Sequence, residues 1–323
     1  MSGFGEIKYI DLRTIWPHEA LNFTPWLEGN IQKLGEVLGM DLEIVAREAS
    51  VGDFSLDLLA RDLGSGRSVI IENQFGATDH DHFGKLLTYA AGYDASTIIW
   101  IAETIREEHR SALEWLNNRT LPDTQFFAVT VQVFRIDDSR PAYQFKPVVY
   151  PNEWQKTKQQ SSGSPSSARS EAYRRYFQIL IDELRDKHHF TNARAGQPQS
   201  WYMFASGLTG IGYSMSFAQN NQARVELYID QGDKQQNKQL FDWLHTQKES
   251  IEAQIGATLN WERLDDRRAC RIAVYRPGSI LDEEPVLEEL RTWSVTYLLK
   301  FKQVLGPRLQ QYKQLAIQGL HAS

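Results

Sequence analysis

The sequence predicts a two-domain chain: an α/β first domain with a central mixed sheet flanked by helices, followed by a second α+β domain. Three observations carry this. The 323 residues fit two domains at roughly 100–200 residues each. Helical and strand-like apolar patterns alternate through the first half. Residues 159–170, QQSSGSPSSARS, have almost no apolar content and read as a flexible linker. The expected domains are therefore 1–158 and 171–323.

Taken in order, the first element is a helix. Thr24 followed by Pro25 is an N-cap and first-turn signal, Leu27, Ile31, Leu34 and Leu38 recur at helical spacing, and Gly39 stops the run. Three strand-like runs follow at 42–47, 54–61 and 68–74, the last two joined by a glycine-containing turn at 63–67. A second helix is expected over 81–92, with Phe83, Leu86, Leu87 and Ala90 on one face. TIIWIA, at 97–102, is continuously apolar, as a strand covered on both faces would be. A helix over 103–117 and a strand over 126–136 complete the first half. The second half reads as a helix at 170–187, strands within 201–218 and 223–230, a helix at 235–255, a strand at 271–275 and a long helical stretch at 283–314. Gly207, Gly210 and Gly212 lie between strands, which makes a hairpin turn of them rather than a phosphate loop.

Composition narrows the class. Hydrophobic residues make up 41% and charged residues 24%, and nine Trp, thirteen Tyr and fifteen Phe supply a sizeable core, so disorder throughout is excluded. No apolar run approaches the ~18 residues of a membrane span. No basic start followed by an apolar stretch marks a secretory signal. The single cysteine, Cys270, rules out an internal disulfide and any multi-cysteine zinc site. A cytoplasmic protein without a membrane partner is expected. Charge is uneven: residues 1–150 carry 13 Lys and Arg against 22 Asp and Glu, the remainder 22 against 19. Any polyanion must then be met by local patches, metal ions or the second half. Arg263, Arg267, Arg268 and Arg271 form a small basic cluster there, but Glu262, Asp265 and Asp266 interleave it, so a solvated charged surface is the favoured reading over DNA docking.

One constellation carries chemistry. Asp57 lies in the strand FSLDLLARD, and Glu72 and Gln74 lie in the next, VIIENQ. Strand alternation puts Glu72 and Gln74 on one face, and a hairpin brings Asp57 alongside. Two carboxylates, with a nearby backbone carbonyl, make a hard oxygen site suited to Mg²⁺ or Mn²⁺. Glu72 also ends an apolar run, where an acid needs a partner.

At these residues the chain resembles the PD-(D/E)XK nuclease superfamily: an acid, a hairpin turn, then acid-x-Lys on the next strand, here Asp57 and Glu72-Asn73-Gln74. The helix, three-strand meander, helix and TIIWIA strand follow that family's order over roughly residues 20–120. GDFSLDLLARD, IENQ and TDHDHFGKLLTYAAG look more narrowly like bacterial proteins in which such a domain precedes one of unknown function. The resemblance implies a restriction-endonuclease-like core and a Mg²⁺- or Mn²⁺-dependent phosphodiesterase acting on nucleic acid, DNA ahead of RNA. Asp57 and Glu72 would hold the metal and Gln74 would orient the attacking water. Gln74 stands where the family's lysine usually does, which removes a cation from the site. The changed position leaves a rival open: a nuclease fold that binds nucleic acid or a partner protein without cleaving. Cleavage of two strands would favour a homodimer, and the family's company suggests bacterial genome defence or repair.

Other residues are secondary candidates. Lys85 and Tyr89, four apart, share a helix face, and Lys85 could restore the missing charge. Asp79-His80-Asp81-His82 has ligand-type residues, but helix capping by Asp79 or Asp81 is the favoured reading, with His80 or His82 as a possible site neighbour. Glu28 is an acid on the first helix, and Glu48 and Asp53 flank the turn before Asp57.

Overall fold

Two compact units make up the chain, residues 1–62 with 66–165, and 63–65 with 166–323. The structure, a computed structural model, describes residues 4–52, 54–121, 124–151 and 168–317. In the first unit a mixed sheet contains β1 (Ile7–Ile10), β2 (Leu42–Val51), β3 (Phe54–Asp62), β4 (Ser68–Ala77), β5 (Thr97–Thr104), β6 (Gln125–Ile136) and β7 (Ala142–Val149). The order is β1-β6-β5-β4-β3-β2, with β7 also paired to β6. β4, β5 and β6 are mutually parallel, and every other pairing is antiparallel.

Helices cover both faces. On one, α2 (Thr24–Gly29) and α3 (Ile31–Leu38) bring Leu27 and Leu34 against Leu58, Ile71 and Ile99. On the other, α4 (His80–Gly92) and α5 (Glu107–Arg119) bring Leu86, Tyr89 and Leu113 against Ile70, Ile98 and Trp100. Residues of both parities on β4 and β5 are thus buried, which accounts for the unbroken apolar runs in the sequence.

Several boundaries differ from the sequence expectation, each for a local reason. The first helix is two, broken at Asn30. Thr24 does not cap it, because a π-helical turn (Glu19–Phe23) and a short α1 (Leu12–Ile15) precede it. The helix expected from 103 begins at Glu107, since Glu103 and Thr104 finish β5. β1 and β7 escaped the sequence reading: their exposed positions break the apolar alternation. Gly39 does end α3, with φ of 71°. Gly35 was not singled out, yet a Cβ there would meet the Met40 carbonyl oxygen at 2.4 Å. Gly35→Ala is accordingly expected to cost about 1–3 kcal/mol of stability, as overpacking does, measurable as a lower urea midpoint at unchanged slope.

The second unit is built on an antiparallel sheet, in the order β11 (Asn260–Glu262), β12 (Cys270–Pro277), β10 (Gln222–Ile229), β9 (Ile211–Ala218), β8 (Trp201–Leu208). One apolar cluster joins one face of this sheet to α6 (Ala168–Asp186), α7 (Lys234–His245), α8 (Lys248–Ile255) and α9 (Glu284–Ile317). The opposite face is polar, with Ser214, Ser216 and Glu226 buried and Glu226 between Arg224 and Arg271. The helix expected over 235–255 is two, and β11 is additional. Gly210 turns the β8–β9 hairpin. Residues 159–167 of the Ser-rich stretch lie outside the described residues, and its last three, 168–170, open α6 instead of belonging to a linker.

Candidate active site

The sheet opens where the candidate residues sit. Pairing between β3 and β4 runs from Arg61–Ser68 to Leu58–Ile71 and stops there, one residue short of Asp57 and Glu72. β4 continues along β5, with Glu72 beside Trp100 and Gln74 beside Ala102. Its other edge is left without a neighbouring strand, and backbone amides on that edge still need acceptors. The Asp57 carboxylate takes the Asn73 amide, N to Oδ2 2.7 Å. Glu19, from the π-helical turn, takes the next amide on that edge, at Phe75. Asn73 itself turns to the opposite face and donates to Thr24 Oγ1 at 3.0 Å, which fastens α2 to β4.

Glu72 and Gln74 are 4% and 6% exposed. Glu72 Oε2 and Gln74 Oε1 are both buried and accept no hydrogen bond among the described residues. Buried oxygens without partners are rare, and these two come from residues on one strand face, where both are left able to accept. The Gln74 nitrogen is occupied: Nε2 donates to Ala77 O at 3.0 Å and to Asp79 Oδ2 at 2.6 Å.

The electrostatics agree. Burial pushes the Asp57 carboxyl well above its ordinary range, and Glu19 and Glu48 push it further. The Asn73 amide and Lys85 oppose them. Glu72 is raised by burial first and by the Asp57 charge second. Glu19 is raised by burial too, against the pull of its Phe75 bond, His82, Arg13 and Lys85. Lys85 thus acts on three carboxyls through space, and among the described residues it closes no ion pair. Tyr89, with its hydroxyl donated to Ser55 O at 2.9 Å, is pushed up to about 12 by burial and then by Glu72, Asp57 and Glu48.

A pH dependence follows. An acid whose pKa is raised on folding holds its proton more tightly in the native state, so stability falls as pH climbs from the ordinary carboxylate range, ~4, through the raised native values. The protein without added metal is expected to lose on the order of 1–3 kcal/mol between about pH 5 and about pH 8 through this pair. Glu72→Gln should flatten that slope in urea titrations at the two pH values. An equal slope in the variant would show that the pair does not set it.

The other candidates divide. Glu48 accepts from Ser55 Oγ at 2.9 Å and acts on Asp57 from the rim. Glu28 is ion-paired with Arg47 at 3.4 Å, and Glu19 supplies the helix-side acid at the opened edge. Asp53 lies outside the described residues. Asp79 caps α4 by accepting from His82 N at 2.8 Å, and its Oδ1 is 2.9 Å from His82 Nδ1. His80 turns to His109, Nδ1 to Nε2 2.9 Å, and His109 continues to Thr78 Oγ1 at 2.8 Å. Sequence reasoning missed Glu19, whose segment offers no helical spacing before Thr24, and for Asp79 it favoured capping over a part in the site. In the second unit three of the four clustered arginines are held by acids: Arg263 by Asp242 and Asp265, Arg268 by Asp230, and Arg271 by Glu226 and Glu262.

Among the described residues no three His, Cys, Asp or Glu side chains converge on a point that would hold a metal ion. The donor set at the opened edge is Asp57 and Glu72 with neutral oxygens, of which Gln74 Oε1 is one. That set fits Mg²⁺, which keeps several waters and takes one or two carboxylates from the protein. Among the described residues no helix is long and apolar enough to cross a membrane. Residues 172–309 match the model of a domain of unknown function, DUF4268. No curated protein and no solved structure matches the chain.

Proposed function

We propose that the first unit is a nuclease domain of the PD-(D/E)XK kind, with a restriction-endonuclease-like core, that hydrolyses phosphodiester bonds in DNA in the cytoplasm. One observation carries the reading. Half-buried Asp57 and buried Glu72 meet at an opened strand edge, both raised by burial and Glu72 also by the Asp57 charge, and Glu72 Oε2 and Gln74 Oε1 on that strand accept no hydrogen bond among the described residues. Such a site lacks positive charge. Asp57 and Glu72 would hold Mg²⁺ or Mn²⁺, with Gln74 Oε1 as a neutral oxygen. The ion, when bound, neutralises a phosphodiester and acidifies a bound water. Gln74 accepts a hydrogen from the attacking water and so aims it. Lys85 offsets the negative charge that grows on the phosphoryl oxygens. Tyr89 holds β3 through Ser55, which steadies Asp57. A homodimer would present two such sites to a duplex, and a role in genome defence rests on the family resemblance alone.

The glutamine at position 74 favours a second reading, a non-cleaving module that binds nucleic acid or a protein. Incubation with supercoiled, linear and single-stranded DNA, with and without Mg²⁺ or Mn²⁺, separates the two. Metal-dependent cleavage supports the nuclease. Retention of DNA without cleavage supports the module, and neither result would remove nucleic acid from the account.

A further inference from the structure

We infer that Asp79 is a positioning residue: it holds the amide nitrogen of Gln74 and thereby makes the carbonyl oxygen the end that faces Asp57 and Glu72. The inference rests on the reading of this edge as a metal and water site, and it narrows that reading. Position 74 would serve as an acceptor or neutral oxygen ligand and never as a donor.

The geometry leaves one orientation. A carboxamide nitrogen has two hydrogens, and Gln74 Nε2 has two acceptors, Asp79 Oδ2 at 2.6 Å and Ala77 O at 3.0 Å. Turned over, Gln74 Oε1 would face a carboxylate oxygen and a carbonyl oxygen at those distances, acceptor against acceptor. The contact at 2.6 Å settles which atom is nitrogen. Asp79 is itself fixed: its Oδ1 receives the His82 amide and lies against the His82 ring, so Oδ2 is the oxygen left for Gln74. Ala77 O comes within reach because β4 leaves register with β5 between Gln74 and Ala77, at Gly76, whose φ is +88°. The strand's irregular end, the helix cap and the site thus share one carboxylate.

The test reverses the polarity of the pair in the full chain. Asp79→Asn keeps a side chain that caps helices well, but it can offer Gln74 an N–H. Gln74 would then gain a hydrogen bond by turning its oxygen to Asn and its nitrogen into the site, at the cost of the Nε2 bond to Ala77 O. Mn²⁺ affinity, by calorimetry, is expected to fall roughly 10- to 100-fold, the range for partners behind a ligand, with Tm unchanged. Gln74→Glu alone sets two carboxylates face to face and should lower Tm. Combining Asp79→Asn with Gln74→Glu should restore Mn²⁺ binding, since Glu can accept from Asn with one oxygen and present the other. A cap-only role for Asp79 predicts no loss in the first variant and no rescue in the pair, and either result overturns the inference. A second measurement does not depend on metal. In the wild-type chain both hydrogens of the Gln74 carboxamide should be protected from exchange by NMR, and Asp79→Asn should release one or both. Exchange at the rate of a free amide would end the proposal even if Mn²⁺ binds. Protection without any Mn²⁺ binding would support the positioning and refute the metal reading.

Discussion

Replacing Lys85 with Met is expected to cut the rate of metal-dependent DNA cleavage by roughly 10²–10³, the range for removing one electrostatic donor from a site. Position 74 is neutral, and its one free end is an oxygen, so it offsets no charge on a phosphoryl group. Lys85 is the cation whose field reaches Asp57, Glu72 and Glu19 together. Removing it has two separable effects. The rate falls at saturating metal, and the carboxyls hold their protons more tightly, so the pH at which Mn²⁺ begins to bind moves upward. At about pH 8 and above, Mn²⁺ affinity should change little or rise as repulsion from the ammonium disappears. Gln74→Lys placed on Lys85→Met should restore the rate in part. Asp79 Oδ2, 2.6 Å from the present amide nitrogen, would draw the new ammonium toward itself and keep some of its charge from the phosphate. Single-turnover cleavage and Mn²⁺ titrations across pH check both halves. An unchanged rate in Lys85→Met would remove Lys85 from the site.

Glu72→Ala is expected to abolish Mn²⁺ binding and any cleavage while the fold persists. The carboxylate is buried beside Asp57; it takes one hydrogen bond, from the Asp57 backbone, and its Oε2 makes none among the described residues, so alanine forfeits a single hydrogen bond and the fold persists. Its loss also removes a repulsion, and the metal-free variant should be slightly more stable than the wild type near neutral pH. Circular dichroism and Tm report the fold, and calorimetric titration reports the ion. Wild-type Mn²⁺ affinity in the variant would overturn the assignment of Glu72 as a ligand.

The sequence made the central strands and the pairing of Asp57 with Glu72 legible for a physical reason. Buried parallel strands need long apolar runs, and an acid interrupting one, as Glu72 does, is conspicuous. Alternation alone placed Gln74 beside it. What stayed hidden depended on departures from regular structure. Glu19 reaches the site from a π-helical turn whose residues show no periodic signal, while Glu28, only a secondary candidate on the first helix, is ion-paired with Arg47. The hydrogen bonds of Asp79 to Gln74 depend on Gly76 bending the end of β4, and a lone glycine near a strand's end announces a bend without its direction. Thr24 carried a capping signal, yet its hydroxyl serves Asn73, because helical structure already extends before it.

The way β4 satisfies its opened edge bears on how relatives of this chain should be read. Asp57 holds two posts, since it accepts a backbone amide that would otherwise be stranded and also faces the chemistry. A descendant that had lost activity would still be under pressure to keep an acceptor there. Glu72 holds two posts as well, since its carboxylate takes a hydrogen bond from the Asp57 backbone while its Oε2 meets no partner among the described residues. A lineage that kept the scaffold after giving up the reaction would therefore still be expected to keep an acceptor at both positions. Counting retained acids alone would mistake such pseudoenzymes for working ones.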